Sequence, residues 1–243
     1  MNRLAKVLVF IVAIGLFPGV AGATWFANTE TGVVFSGYND AQIPGDVGTR
    51  FSFVDDLRTA PHPYFRLRVG KTIARRHTIA ALYAPLTLYA DGEFDRATRF
   101  DEKTYPPDTS LRGTFRFDSY RLTYRYDFYL SEKLEIGAGL TAKIRDAEIA
   151  LGSYGYTNTG FVPLVNLRLK WRFADSWGLL LEGDGLVGPQ GRAEDFLLAF
   201  EADLNEHVAV NFGYRILEGG ADNDKVYTFS LLHYGALGVT ARF

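Results

Sequence analysis

The chain has 243 residues with 26 basic and 28 acidic side chains, a formal net charge of −2, and no cysteine. So even a balance, with no basic tail, excludes nucleic acid as a partner, and an exported chain without cysteine has no disulfide scaffold. The length suits one closed domain, and no linker, low-complexity tract or helical-repeat period divides it.

Arg3 and Lys6 precede an apolar run from Val7 to Phe17, followed by Pro18, Gly19 and the small-residue site Ala21-Gly22-Ala23. The run is too short for a spanning helix, so residues 1–23 read as an export signal removed after Ala23, leaving 24–243 as the mature domain. Loss of Arg3 and Lys6 lowers the formal charge from −2 to −4.

Beyond the signal, stretches of about ten residues alternate apolar and polar at period two. Strands are expected at about 31–43, 63–74, 77–90, 113–130, 133–151, 160–174, 177–188, 193–205, 207–218 and 226–243. In the sixth, Val165, Leu167, Leu169, Trp171 and Phe173 oppose Asn166, Arg168, Lys170 and Arg172. The ninth sets Val208, Val210, Phe212, Tyr214 and Ile216 against Asn211, Gly213 and Arg215. The third contains Pro85 and has no clear phase, so its facing is left open. Gaps near 74–76, 131–133, 174–176 and 205–207 are short. Those at 44–63, 91–112, 152–159 and 219–225 are mostly long and polar, and 188–192 is a tight turn on the same side.

Alternation, short turns at one end and long loops at the other lead to an all-β fold: a closed antiparallel transmembrane β-barrel of about ten strands in an up-and-down meander. Tyr126, Phe128, Trp171, Phe173, Trp177 and Phe243 gather at the short-turn end, where a periplasmic girdle belongs. A soluble lipocalin-like barrel has the same alternation with its faces reversed, but gives no reason for the girdle or the loop asymmetry. The last strand ends on aromatic Phe243, which resembles the assembly signal of bacterial outer-membrane barrels. The expected location is the outer membrane of a Gram-negative cell envelope.

With apolar residues on lipid, the charged face lines the lumen. Arg66, Arg68, Arg121, Arg125, Lys143, Arg145, Arg168, Lys170, Arg172 and Arg215 are expected to meet Glu182, Asp184, Asp195, Glu201 and Asp203 in an ion-pair network that largely plugs so narrow a barrel. A three-residue turn at 174–176 sets Arg168 opposite Glu182 and Asn166 opposite Asp184. The turn at 131–133 sets Arg121 beside Lys143, which then need acids from across the barrel.

Signals of chemistry are weaker. Gly183-Asp184-Gly185-Leu186-Val187-Gly188 matches a dinucleotide fingerprint, but lies within a strand with Pro189 where a helix should start. Ser230 and His233 point to opposite faces. At the outer rim Asn39, Asp40, Asp46, Asp55, Asp56, Asp146, Glu148, Glu218, Asp222 and Asp224 are expected near Arg145, Arg192 and Tyr154. Glu218, Asp222 and Asp224 form the candidate metal site, with Ca2+ at extracellular loops as the ion. No other cofactor and no catalytic residue is assigned.

The runs 37–40, 143–148, 188–192 and 218–224 resemble those of an uncharacterised family of small bacterial outer-membrane β-barrel proteins. The resemblance implies the barrel and no activity. The expected role is structural, surface-binding or narrow-transport. The alternative is a hydrolase of lipid or peptide with a carboxylate site at the extracellular mouth. Expected partners are outer-membrane lipid, lipopolysaccharide and the outer-membrane assembly machinery, with the protein a monomer.

Overall fold

A computed structural model describes residues 23–189 and 191–243. The expected export signal lies outside the described residues apart from Ala23. In chain order the strands are β1 (Ala23–Gln42), β2 (Phe51–Ser52), β3 (Leu57–Thr59), β4 (His62–Ile73), β5 (His77–Ala84), β6 (Thr87–Glu93), β7 (Thr98–Phe100), β8 (Lys103–Tyr105), β9 (Ser110–Leu130), β10 (Leu134–Leu151), β11 (Tyr154–Arg172), β12 (Trp177–Gly188), β13 (Gly191–Asp203), β14 (Val208–Asn223) and β15 (Val226–Arg242). Antiparallel pairing runs from β1 through β4, β5 and β9 to β15 in sequence, and β15 pairs back with β1. The wall is thus a closed barrel of ten strands.

Closure is completed at the chain ends. Trp25 N–H donates to Phe243 O at 2.8 Å and Phe243 N–H donates to Trp25 O at 2.9 Å, so no edge is left at the seam. The barrel exposes its greasy side chains outward, among them Phe35, Leu122, Leu140, Leu167, Phe200, Phe212, Leu237 and Val239. Phe128, Trp171, Phe173, Trp177 and Phe243 ring the short-turn end. Gly183 and Gly185 belong to this outward face of β12. A Cβ on Gly183 would meet the Phe196 ring at 2.3 Å, which explains a glycine there without any nucleotide.

Several strands are longer than a membrane requires. A tilted strand crosses in about 9–11 residues, whereas β9 has 21, β10 has 18 and β11 has 19. Their surplus rises above the apolar belt. It absorbs two segments expected as loops: 152–159 shrinks to a turn at Gly152 and Ser153, and 219–225 to one at Asp224 and Lys225. Backbone pairing satisfies amides and carbonyls more fully than an open loop does.

The two longest outer segments also depart from expectation, since they fold inward. Residues 43–61 and 94–109 carry β2, β3, β7 and β8 and lay Phe51, Phe53, Leu57, Phe94 and Phe100 over the barrel mouth, each fully buried. Pro85 interrupts the third wall strand into β5 and β6, and β6 carries Leu88 and Ala90 into the same apolar cap.

The turn after β4 holds Ala74 and Arg75 at φ of 49° and 62°, closed by Arg76 N–H to Ile73 O at 3.1 Å. Two left-handed residues suit a twisted hairpin, but alanine there is strained. Ala74→Asn is expected to stabilise the barrel by about 0.5–1 kcal/mol, read as a higher urea midpoint in detergent micelles.

Candidate functional site: a lumen in three tiers

The lowest tier is a vestibule of about 1090 Å³ that reaches Arg75, Asn205, Glu206 and His207 in the short turns and is therefore open at that end. Its wall follows from strand register. Arg168 lies opposite Glu182 and Asn166 opposite Asp184 across β11 and β12. Side chains share charge more widely than register alone implies. Glu182 takes its shortest contact from Arg68, with Arg168 at 3.6 Å and Arg125 at 3.8 Å, while Arg168 turns its Nη1 to Glu135 at 2.8 Å. Arg125 also meets Asp127 at 2.9 Å. Lys170 bridges Glu201 at 2.6 Å and Asp203 at 3.1 Å, and Arg242 reaches Asp203 at 3.2 Å. The ion pairs line this tier without filling it, unlike the plug expected from the narrow bore.

The middle tier is buried. Asp195 accepts Arg121 Nη2 at 2.6 Å, Arg66 Nη2 at 2.9 Å, and Arg215 Nη1 on its other oxygen. Arg215 also forks onto Glu30, with Nε to Oε1 at 2.8 Å and Nη2 to Oε2 at 2.7 Å. Arg121 Nη1 meets Asp184 Oδ2 at 2.7 Å, and Thr141 and Asn166 donate to the other Asp184 oxygen at 2.7 and 2.9 Å. Three guanidinium groups face three carboxylates in a layer where every member is buried. Charge-assisted, partly bidentate bonds of this kind are what make buried ions tolerable.

Glu30 was missed because its strand was expected to start at residue 31. Thr29 and Thr31 make the outward face of β1 only weakly apolar there, which hides the alternation. Lys143 is a correction of the opposite kind. It lies beside Arg121 in the register, but no carboxylate pairs with it among the described residues; its ammonium sits 4.7 Å from the centre of the Phe117 ring.

The top tier is the apolar cap. Phe51 packs on Phe53, Phe94 and Phe100 with ring centres 5.3, 5.6 and 6.0 Å apart. Backbone bonds hold the cap, with Phe53 N–H to Asn39 O of β1 at 2.8 Å fixing it to the wall and Asp101 N–H to Ile43 O at 2.8 Å joining its two segments.

The rim acids do not gather as expected. Among the described residues no three acids or histidines converge as metal ligands. Glu218 is forked by Arg192 and receives the Tyr38 hydroxyl, whereas Asp222 and Asp224 are exposed near the next turn. Asp56 pairs with Arg96 at 2.9 Å, Asp146 and Glu148 surround Arg116 at 3.4 and 3.0 Å, and Asn39 is buried under the cap. Burial alone raises the Glu218 carboxyl, but the hydrogen bonds from Arg192 and Tyr38 hold it below the ordinary glutamate range.

No protein-family profile matches the chain, and no curated protein sequence does either. Solved structures do. The outer-membrane protease OmpT from Escherichia coli matches with TM-score 0.55 and 10% identity, over 94% of this chain and 99% of that one. The transport unit of the autotransporter AIDA-I from Escherichia coli gives 0.46 and 9%, over 99% and 98%. An outer-membrane channel from Pseudomonas putida F1 gives 0.44 and 11%, over 93% and 97%. The fold is that of a bacterial outer-membrane β-barrel. Its outward apolar belt and aromatic girdle belong in the outer membrane, with the vestibule facing the periplasm and the cap facing out.

Two outcomes are expected from this geometry. Asp195→Ala leaves three buried arginines facing one another and should cost about 3–5 kcal/mol, against no more than about 0.5 kcal/mol for exposed Asp222→Ala; urea unfolding of refolded protein compares them. Because the folded pKa of Glu218 lies below its unfolded value, its contact is complete above the unfolded pKa and is lost as pH falls through the folded one. Arg192→Gln should move the Glu218 carboxyl upward in an NMR titration.

Proposed function

We propose that the protein is a sealed outer-membrane barrel acting at the cell surface as a binding or structural element. The observation that carries this reading is the double seal. The vestibule ends blind beneath the Asp195 layer, and the aromatic cap closes the outer mouth above it. A transported solute would have to part three multiply bonded ion pairs and then an apolar core.

The hydrolase alternative lacks its machinery on the described residues. Of the four histidines, His62 packs edge-on against Tyr89 and His233 hydrogen-bonds Tyr214 at the outer end, neither touching a carboxylate. His77 bonds Tyr124, and His207 lies in an exposed turn with Glu206. At 10% identity the protease lends this chain its fold and no catalytic residue. The partners that suit the reading are outer-membrane lipid, lipopolysaccharide, and the assembly machinery reading the last strand. Phe243 supports that last role, because its backbone closes the seam while its ring is 68% exposed.

Purified protein in planar bilayers should show no steady conductance. Large, stable channels from the wild type would overturn the sealed reading. In cells, deletion of Phe243 should deplete the heat-modifiable form in the outer membrane by about tenfold, since the assembly machinery would lose the terminal aromatic residue it reads. Refolding of the same variant in detergent should persist. Equal loss in both settings would make Phe243 a stability residue and not an assembly signal.

A further inference from the structure

Lys143 and Arg145 are the only lumen-facing cations of the barrel strands, among the described residues, that no carboxylate pairs with. They sit two apart on the inward face of β10. Lys143 is 4% exposed. Arg145 donates Nη2 to Asn158 Oδ1, and its Nε is buried without a partner. The acids whose charge acts on Lys143 are Asp195 and Asp184, which Arg121, Arg66 and Arg215 already occupy. Asp146 and Glu148 lie on the other face of the wall, around Arg116. Two adjacent like charges, one nearly dry, are costly unless something answers them.

The wall beside them is incomplete. Pairing of β11 with β12 stops at Val165 and Gly185, because Pro163 has no N–H to give and β12 turns back after Gly188. From Pro163 up to Tyr154, β11 rises with no paired strand on that side among the described residues. Its inward residues there, Tyr156, Asn158, Gly160 and Val162, are half-buried, whereas Leu164 and Asn166 just below are buried. The unpaired edge leaves a notch in the wall, at whose inner side Arg145 is half-buried and Lys143 lies just beneath. Ile144 is the last apolar outward residue of β10 before Asp146, which sets the notch at the height of lipid headgroups. Gly160 keeps it open: a Cβ would stand 3.2 Å from Arg145 Nη2. No residue from 152 to 167 is charged, so nothing on this strand repels an anion.

We propose that the notch between β11 and β12 binds a phosphate group carried on a sugar, with Arg145 and Lys143 as its cations and Asn158 and Tyr156 as flanking hydrogen-bond partners. The inference rests on the reading of the barrel as a sealed, surface-facing binder. A sugar phosphate reaches this height either as an outer-leaflet lipopolysaccharide headgroup or as a free molecule.

Refolded protein in an uncharged detergent would be titrated with glucosamine 1-phosphate. In parallel, protein in nanodiscs would receive lipopolysaccharide or its enzymatically dephosphorylated form, with 31P NMR and thermal shift as readouts. Binding in the first arm identifies a free ligand. Binding only in the second, lost on dephosphorylation, identifies the lipid. Arg145→Gln should weaken either by about tenfold. Gly160→Val should do the same with the charges untouched. Lys143→Met should raise the melting temperature without ligand, by removing an unanswered cation, and abolish the ligand-induced rise. A merely structural lysine would lower it.

No phosphate-dependent response in either arm, or one that Arg145→Gln and Gly160→Val leave intact, would overturn the proposal. Conductance is measured separately, so a conducting barrel would defeat the sealed reading without deciding this test.

Discussion

Asp195 is the side chain on which the interior depends. One carboxylate, buried among three strands' worth of arginines, fixes β4, β9 and β14 against β13 through Arg66, Arg121 and Arg215. In a barrel the wall satisfies its own backbone, so the side chains inside decide whether the bore is filled or open. Here they meet at one level, because only at that level do carboxylates from β1, β12 and β13 stand opposite the three guanidinium groups. Below it the charged residues are spaced around the wall and leave the vestibule of about 1090 Å³ between them.

The cap follows from a different constraint. Strands of 16 to 21 residues outrun the membrane and form a palisade whose inner surface must be covered. Phe115, Ile149, Leu151 and Leu217 are the inward residues of that surplus, and they are apolar where their lower counterparts are charged. Segments 43–61 and 94–109 supply the aromatic rings that bury them. The change from ionic to apolar lining along one strand, as from Arg121 to Phe115, marks where the membrane-level lumen ends and an ordinary hydrophobic core begins.

This division explains what was legible in the sequence. Period-two alternation and turn length gave the strand order, the closing of the barrel and the register that pairs Arg168 with Glu182, since a shift by one residue would turn charges to lipid. The cap was not legible. Phe94 and Phe100 stand singly among polar residues, the alternation Phe51-Ser52-Phe53 is too short to read as a wall strand, and the burial of all four rings comes from contacts across the mouth that no local pattern encodes. Glu218, Asp222 and Asp224 look like one acidic loop in sequence. The β14–β15 hairpin draws them out along a strand, and Arg192 claims the first.

Charge balance within the middle layer has a further consequence. Glu30, Asp184 and Asp195 neutralise Arg66, Arg121 and Arg215 one for one. Drawing any of those acids toward Lys143 would expose a buried arginine, at a cost that exceeds what the lysine gains. The layer therefore cannot relax to accommodate Lys143 and Arg145, and rotation away is blocked by β10 pairing on both sides. An anion from outside the chain would restore neutrality at that height. The one side from which it can come is the low rim of β12, where a proline and a short hairpin leave the wall unfinished.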